Sequence, residues 1–103
     1  MTHTFEVEFP EEPGGPEPEL RARLAVVAAH RLEVLEESGA PYPTAGGSFD
    51  FLDTFEGKYV WEMTDAEFEA TPPTMVDVEV LSVDPAEPSD TGGMVHVTAR
   101  VPF

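Results

Sequence analysis

Residues 18–37, PELRARLAVVAAHRLEVLEE, decide the fold. At 100° per residue, Leu20, Leu24, Val27, Ala28, Leu32, Val34 and Leu35 share one broad face, the periodicity of an amphipathic helix. Pro18 suits the first turn, and Glu17 and Glu19 complement the positive end of the helix dipole. Gly39 and Pro41 follow in the order that stops a helix. Glu33, Glu36 and Glu37 crowd the last turn, where the dipole disfavours anions by about a few tenths of a kcal/mol each. That placement works against stability and suits solubility or an acidic docking edge, so the three are candidate partner-binding residues. Arg31 interrupts the apolar face. Either its stem lies on the core while the guanidinium reaches water, or it pairs with a sheet acid such as Glu62 or Asp53.

Upstream of the helix, residues 4–9 alternate strictly, with Phe5, Val7 and Phe9 on one face and Glu6 and Glu8 on the other. That is a half-buried strand, and the helix is its natural cover. Downstream, residues 48–56 admit two readings. Ser48 caps a short helix carrying Phe51, Leu52 and Phe55, or Phe49, Phe51 and Phe55 lie on a strand. In residues 58–63, Tyr59, Trp61 and Met63 alternate with Val60 and Glu62, which predicts a strand. Thr64-Asp65-Ala66-Glu67 is a capping box that opens a helical turn ending at Ala70, before Pro72 and Pro73.

The last third predicts a hairpin. Val76, Val78 and Val80 face one way, and Leu81 and Val83 break the phase, which places a bulge near Leu81. Val95, Val97, Ala99, Val101 and Phe103 form the return, with His96, Thr98 and Arg100 outside. Antiparallel pairing brings Asp77 near Arg100. The expectation is one domain over residues 1–103, of the α+β class, with one long helix packed on a mainly antiparallel sheet of four to five strands.

Composition narrows the function. The chain has 103 residues, 21 Asp and Glu against 5 Lys and Arg, and a formal net charge of −16. Binding a phosphate backbone takes several clustered cations, and Arg21, Arg23, Arg31, Arg100 and Lys58 are too few and too scattered. Direct nucleic-acid binding is therefore not expected. Anionic lipid is disfavoured for the same reason. The longest strictly apolar run is residues 24–29, far short of the roughly 20 needed to span a bilayer. Residues 1–4 lack the basic start of a signal peptide, so a soluble protein is expected. The acidity fits solubility or a salty setting, docking onto a basic partner, or mimicry of a nucleic-acid backbone.

Chemistry-bearing patterns are sparse. There is no Cys, which excludes a disulfide framework, a thiolate metal site and a cysteine nucleophile. His3, His30 and His96 stand at no spacing that builds a metal site, and Asp50, Asp53 and Glu56 are spaced by three, unlike a calcium loop. Ser48 follows Gly46-Gly47 but lacks the later Gly of a nucleophile elbow, and reads as a cap or turn residue. The glycine pairs carry no phosphate-loop pattern. No cofactor and no catalytic residue are expected, and the chain reads as a non-enzyme. Most aromatics belong in the core, but a single helix cannot bury both faces of residues 48–63. Tyr59 and Trp61 are therefore candidate partner anchors.

The helix ending Leu32-Glu33-Val34-Leu35-Glu36, the loop with Gly46-Gly47, Tyr59-Val60-Trp61, and the valine-rich hairpin ending Val101-Pro102-Phe103 resemble the soluble head of minor pilins and pseudopilins. The resemblance covers residues 18–103. It implies a helix packed on an antiparallel sheet and a subunit role in an envelope filament. Family members begin with an apolar helix, where this chain has an acidic strand and a Pro-rich turn. The combined expectation is a non-enzymatic acidic protein acting through protein–protein contacts, as a subunit or accessory factor of a larger assembly. Its partner is a protein, one with a basic surface being the natural complement, and self-association fits the same reading. The alternative is an acidic decoy that inhibits a nucleic-acid-binding protein.

Overall fold

The computed structural model describes residues 3–54, 58–85 and 92–102. In chain order the elements are β1 (His3–Glu8), α1 (Pro18–Glu37), β2 (Ser48–Asp53), a 3-10 turn (Val60–Glu62), α2 (Asp65–Ala70), β3 (Thr74–Asp84) and β4 (Gly93–Arg100). The class is α+β. The four strands form one sheet in the order β1-β4-β3-β2. β2 and β3 pair antiparallel, as do β3 and β4, but β1 runs parallel to β4. The sheet is thus mixed. The expectation of a mainly antiparallel sheet holds for the hairpin and fails for β1, whose register with β4 joins residues about 90 positions apart.

Burial alternates along each strand, and every inward side chain is apolar apart from His3 and Asp53. α1 covers this inner face. It packs against β1 and β2, the two outer strands, so the sheet curls around the helix. Leu24, Val27, Ala28 and Leu32 of α1 are buried among Phe5, Val7, Phe49, Phe51 and the valines of β3 and β4. Leu20 and Leu35 are half-buried at the margin, and Val34, expected on the core face, is exposed. Helical phase alone put it inside. The curled sheet leaves that flank of α1 uncovered.

Several local expectations resolve. Residues 48–53 are strand, so Ser48 begins β2 instead of capping a helix, while Phe55 and Glu56 lie outside the described residues. The register skips between Val80 and Ser82, which puts the bulge at Leu81. The return strand pairs Arg100 with Glu79 and not with Asp77, two residues from the expected position. Arg100 reaches Glu79 at 3.5 Å and Glu12 at 3.0 Å. The Thr64 capping box is formed: its hydroxyl accepts from the Glu67 N–H at 3.2 Å, and the Glu67 carboxylate accepts from the Thr64 N–H at 3.3 Å. Lys58 closes on the same carboxylate at 2.8 Å and, with Thr64, holds Glu67 below the usual carboxylate range.

Residues 58–63 are not a fifth strand. Val60–Glu62 close a 3-10 turn, with the Met63 N–H donating to the Val60 carbonyl and the Tyr59 N–H to the Glu62 carboxylate. These bonds satisfy locally the backbone groups that a strand would offer to a neighbour.

At the far end of α1, the His3 N–H donates to the Glu36 carboxylate, which also meets the His3 ring at Nδ1. Tyr42 packs edge-on to Phe5 with ring centres 4.9 Å apart, and its hydroxyl is buried without a hydrogen-bond partner among the described residues. Burial, with the Glu36 charge adding to it, pushes the Tyr42 phenol above its ordinary value of 10.0. A raised folded-state value means its stability contribution is whole below pH 10 and lost as pH climbs through the folded value. Because the buried hydroxyl has no partner among the described residues, Tyr42→Phe should raise stability by about 1 kcal/mol at neutral pH, read from the denaturant midpoint, and soften the alkaline loss. A fall of similar size would mean that the hydroxyl is satisfied in solution.

Candidate functional site

Arg23, Val27, His30, Arg31 and Val34 recur at i, i+4, i+7, i+8 and i+11, one stripe along α1. The stripe faces the open side of β2, and the 3-10 turn closes one end. Between them lies an apolar groove of about 320 Å³, lined on α1 by Val27, His30, Arg31 and Val34 and on β2 by Asp50, Phe51 and Leu52. Val60, Trp61 and Met75 complete it. Trp61, Met75 and Val34 are all exposed, which makes this an apolar patch on an otherwise acidic surface.

Arg23 holds the groove's closed end. Its guanidinium donates to both carboxylate oxygens of Asp53, at 2.7 and 3.0 Å, and to the Lys58 carbonyl at 2.9 Å. Asp53 is fully buried, so this is a bidentate pair at the end of β2. The same guanidinium lies over the Tyr59 ring at 4.7 Å. Tyr59 stacks on Trp61 with ring centres 4.7 Å apart, and His30 stacks on Trp61 at 4.0 Å. Two rings side by side on one face could not both centre so close, so His30 and Tyr59 flank opposite faces of the indole. The result is a four-layer stack, Arg23–Tyr59–Trp61–His30. Both faces of Trp61 are occupied within the chain, leaving its exposed edge for contact.

Sequence reading singled out Tyr59 and Trp61 but not the stack or its anchor. Of the two acids expected as partners of Arg31, Asp53 engages Arg23, and Glu62, in the 3-10 turn and not in the sheet, accepts from the Tyr59 backbone. Arg31 makes no ion pair among the described residues, so its stem lies on the groove with the head at its margin. Arg23 stands one turn after Glu19 on a polar-looking flank, and only its i+4 relation to Val27 hinted at an inward role. The acidic edge of α1 is divided: Glu36 is tucked against His3, Glu33 is half-buried and Glu37 is exposed.

The structure does not bring the three histidines together. His3 meets Glu36, His30 stacks on Trp61, and His96 lies 3.2 Å from Glu8 on the outer face. Asp50 and Asp53 point to opposite faces of β2. Among the described residues no three His, Asp or Glu side chains converge on a point that could hold a metal ion. No helix of the described residues is long and apolar enough to cross a membrane. The chain matches no family model, no curated protein and no solved structure.

Proposed function

We propose that this chain is a non-enzymatic protein-contact module, a subunit or accessory factor of a larger assembly, which docks through the groove between α1 and β2. The observation that carries the reading is the groove itself: exposed Trp61, Val34 and Met75 around an apolar hollow, on a chain of net charge −16. Apolar anchors bordered by charge are the anatomy of a binding site whose centre supplies affinity and whose rim supplies selectivity. A basic-surfaced protein complements that rim. The resemblance of residues 18–103 to pilin heads points to the same kind of role. A backbone decoy would need a row of carboxylates on one face, and the occupation of Glu36 by His3 weakens the best candidate row.

The two roles separate on salt and competitor. Partner captured from host extract on the immobilised protein should stay bound at moderate salt and resist excess duplex DNA. It should be lost from Val34→Glu and retained by Glu33→Lys with Glu37→Lys, which spares the Glu36 contact. Binding that collapses with salt, yields to DNA and disappears with the two lysine substitutions would replace this reading with the decoy.

A further inference from the structure

Three features meet on the open side of β2. The strand pairs only with β3 among the described residues, so its other side is a sheet edge whose alternate backbone N–H and C=O groups face outward. Inside that edge lies the groove, walled by Val27, Val34, Phe51 and Trp61. On the outer face Asp50 stands directly opposite Asp77, a like-charge pair that destabilises a ladder, and neither carboxylate has a hydrogen bond or ion pair among the described residues.

We propose that β2 receives an extended segment of a basic protein as a fifth strand. The proposal rests on the reading of this chain as a protein-contact module and specifies how the contact is made. Strand periodicity dictates the segment's pattern. The residue opposite Phe51 points toward α1 and enters the groove, so it is apolar. The residue opposite Asp50 points outward, so it is Lys or Arg, which offsets the repulsion between Asp50 and Asp77. The residue opposite Leu52 points outward as well, beside the paired Leu52 and Met75, where the aliphatic stem of a second Lys or Arg can lie. Main-chain bonds supply affinity, alternate side chains supply selectivity, and the chain's net charge steers a cationic segment inward. Arg31 borders both the groove and the hollow beside Asp50 and Asp77. A second copy of this chain is a poor occupant, because it would set one acidic β2 edge against another.

The probe is an eight-residue peptide of alternating Lys and Val, acetylated and amidated, read by anisotropy and by amide chemical shifts of the full chain. Shifts should concentrate in Ser48–Asp53 and the groove lining. N-methylation of every peptide amide should weaken binding at least tenfold, Asp50→Lys should weaken it about tenfold, and Glu6→Lys, the same change of net charge on β1 at the opposite edge of the sheet, should leave it nearly unchanged. Equal binding of the N-methylated peptide would reduce the effect to charge and overturn strand addition. Shifts centred on His96 and the outer face of β4 would do the same. So would a Glu–Val peptide that binds more tightly and is lost with Arg31→Ala, since the groove would then be an anion site. Dimerisation of the free chain that occludes β2 would assign the edge to a second copy. A host partner that binds in salt yet ignores Asp50→Lys would leave the contact-module reading standing and overturn the added strand alone.

Discussion

Arg23→Leu is expected to cost about 3–5 kcal/mol, measured as a shift in the denaturant midpoint, because it strands the Asp53 carboxylate in the core. Asp53 is fully buried, and without the guanidinium its remaining described donor is the Thr54 N–H at 2.9 Å. The Lys58 carbonyl and the Tyr59 ring lose the same partner, so the stack of Tyr59, Trp61 and His30 loosens as well. Removing both charges tells the two contributions apart. Arg23→Leu with Asp53→Leu should recover at least half of the loss, since an apolar pair of similar volume leaves nothing unpaired. Arg31→Leu is the control. With no ion pair among the described residues and a stem already on apolar surface, its change should stay within about 0.5 kcal/mol. A small effect of Arg23→Leu beside a large one of Arg31→Leu would reverse the assignment of the buried pair.

Leu24→Ala should be of similar size, about 2–5 kcal/mol, for a different reason. The side chain is wholly buried, and α1 is the element that covers the inner face of the sheet, so no second layer can relax into the space. Against a total of about 5–15 kcal/mol for a chain of this size, such a loss brings the midpoint close to working temperature. Val26, two residues on and exposed, provides the comparison: Val26→Ala should be nearly silent. A Leu24→Ala loss below about 1 kcal/mol would mean that the helix can slide over the sheet to refill the cavity.

These two positions also show what the amino-acid order makes legible. Leu24 is readable because local periodicity and burial agree: one helix, one face, one core. The alternation in β1, the valines of β3 and β4, the bulge at Leu81 and the Thr64 cap are readable for the same reason, since each is decided within a few residues. Arg23 is not. Arg23 and Arg31 are about two turns apart on the same stripe of α1, and which one meets Asp53 depends on where the end of β2 lands. Tyr59, Trp61 and Met63 mislead in the opposite sense. Their period of two is that of a strand, yet the two rings stack on one another and the backbone closes on itself. The parallel pairing of β1 with β4 has no local signal, because its register is settled by the packing of α1 between distant segments. The groove inherits this. Its apolar residues were visible singly, but their meeting place depends on the curl of the sheet.

The strand order has a consequence for how the chain is made. β4, which follows β1, β2 and β3 in the order of synthesis, is an interior strand, flanked by β1 and β3. While residues 93–100 are still within the ribosome, β1 has no neighbour to bond with, and the sheet exists only as the β2–β3 pair. The nascent protein therefore waits with Phe5, Val7 and Phe9 held off water only by whatever α1 can cover, and β4 must enter between two segments already emerged. Closure joins segments about 90 residues apart in one step, late and slowly, as high contact order demands. A heavily acidic surface suits that interval, because mutual repulsion keeps half-built copies apart until the interior strand arrives.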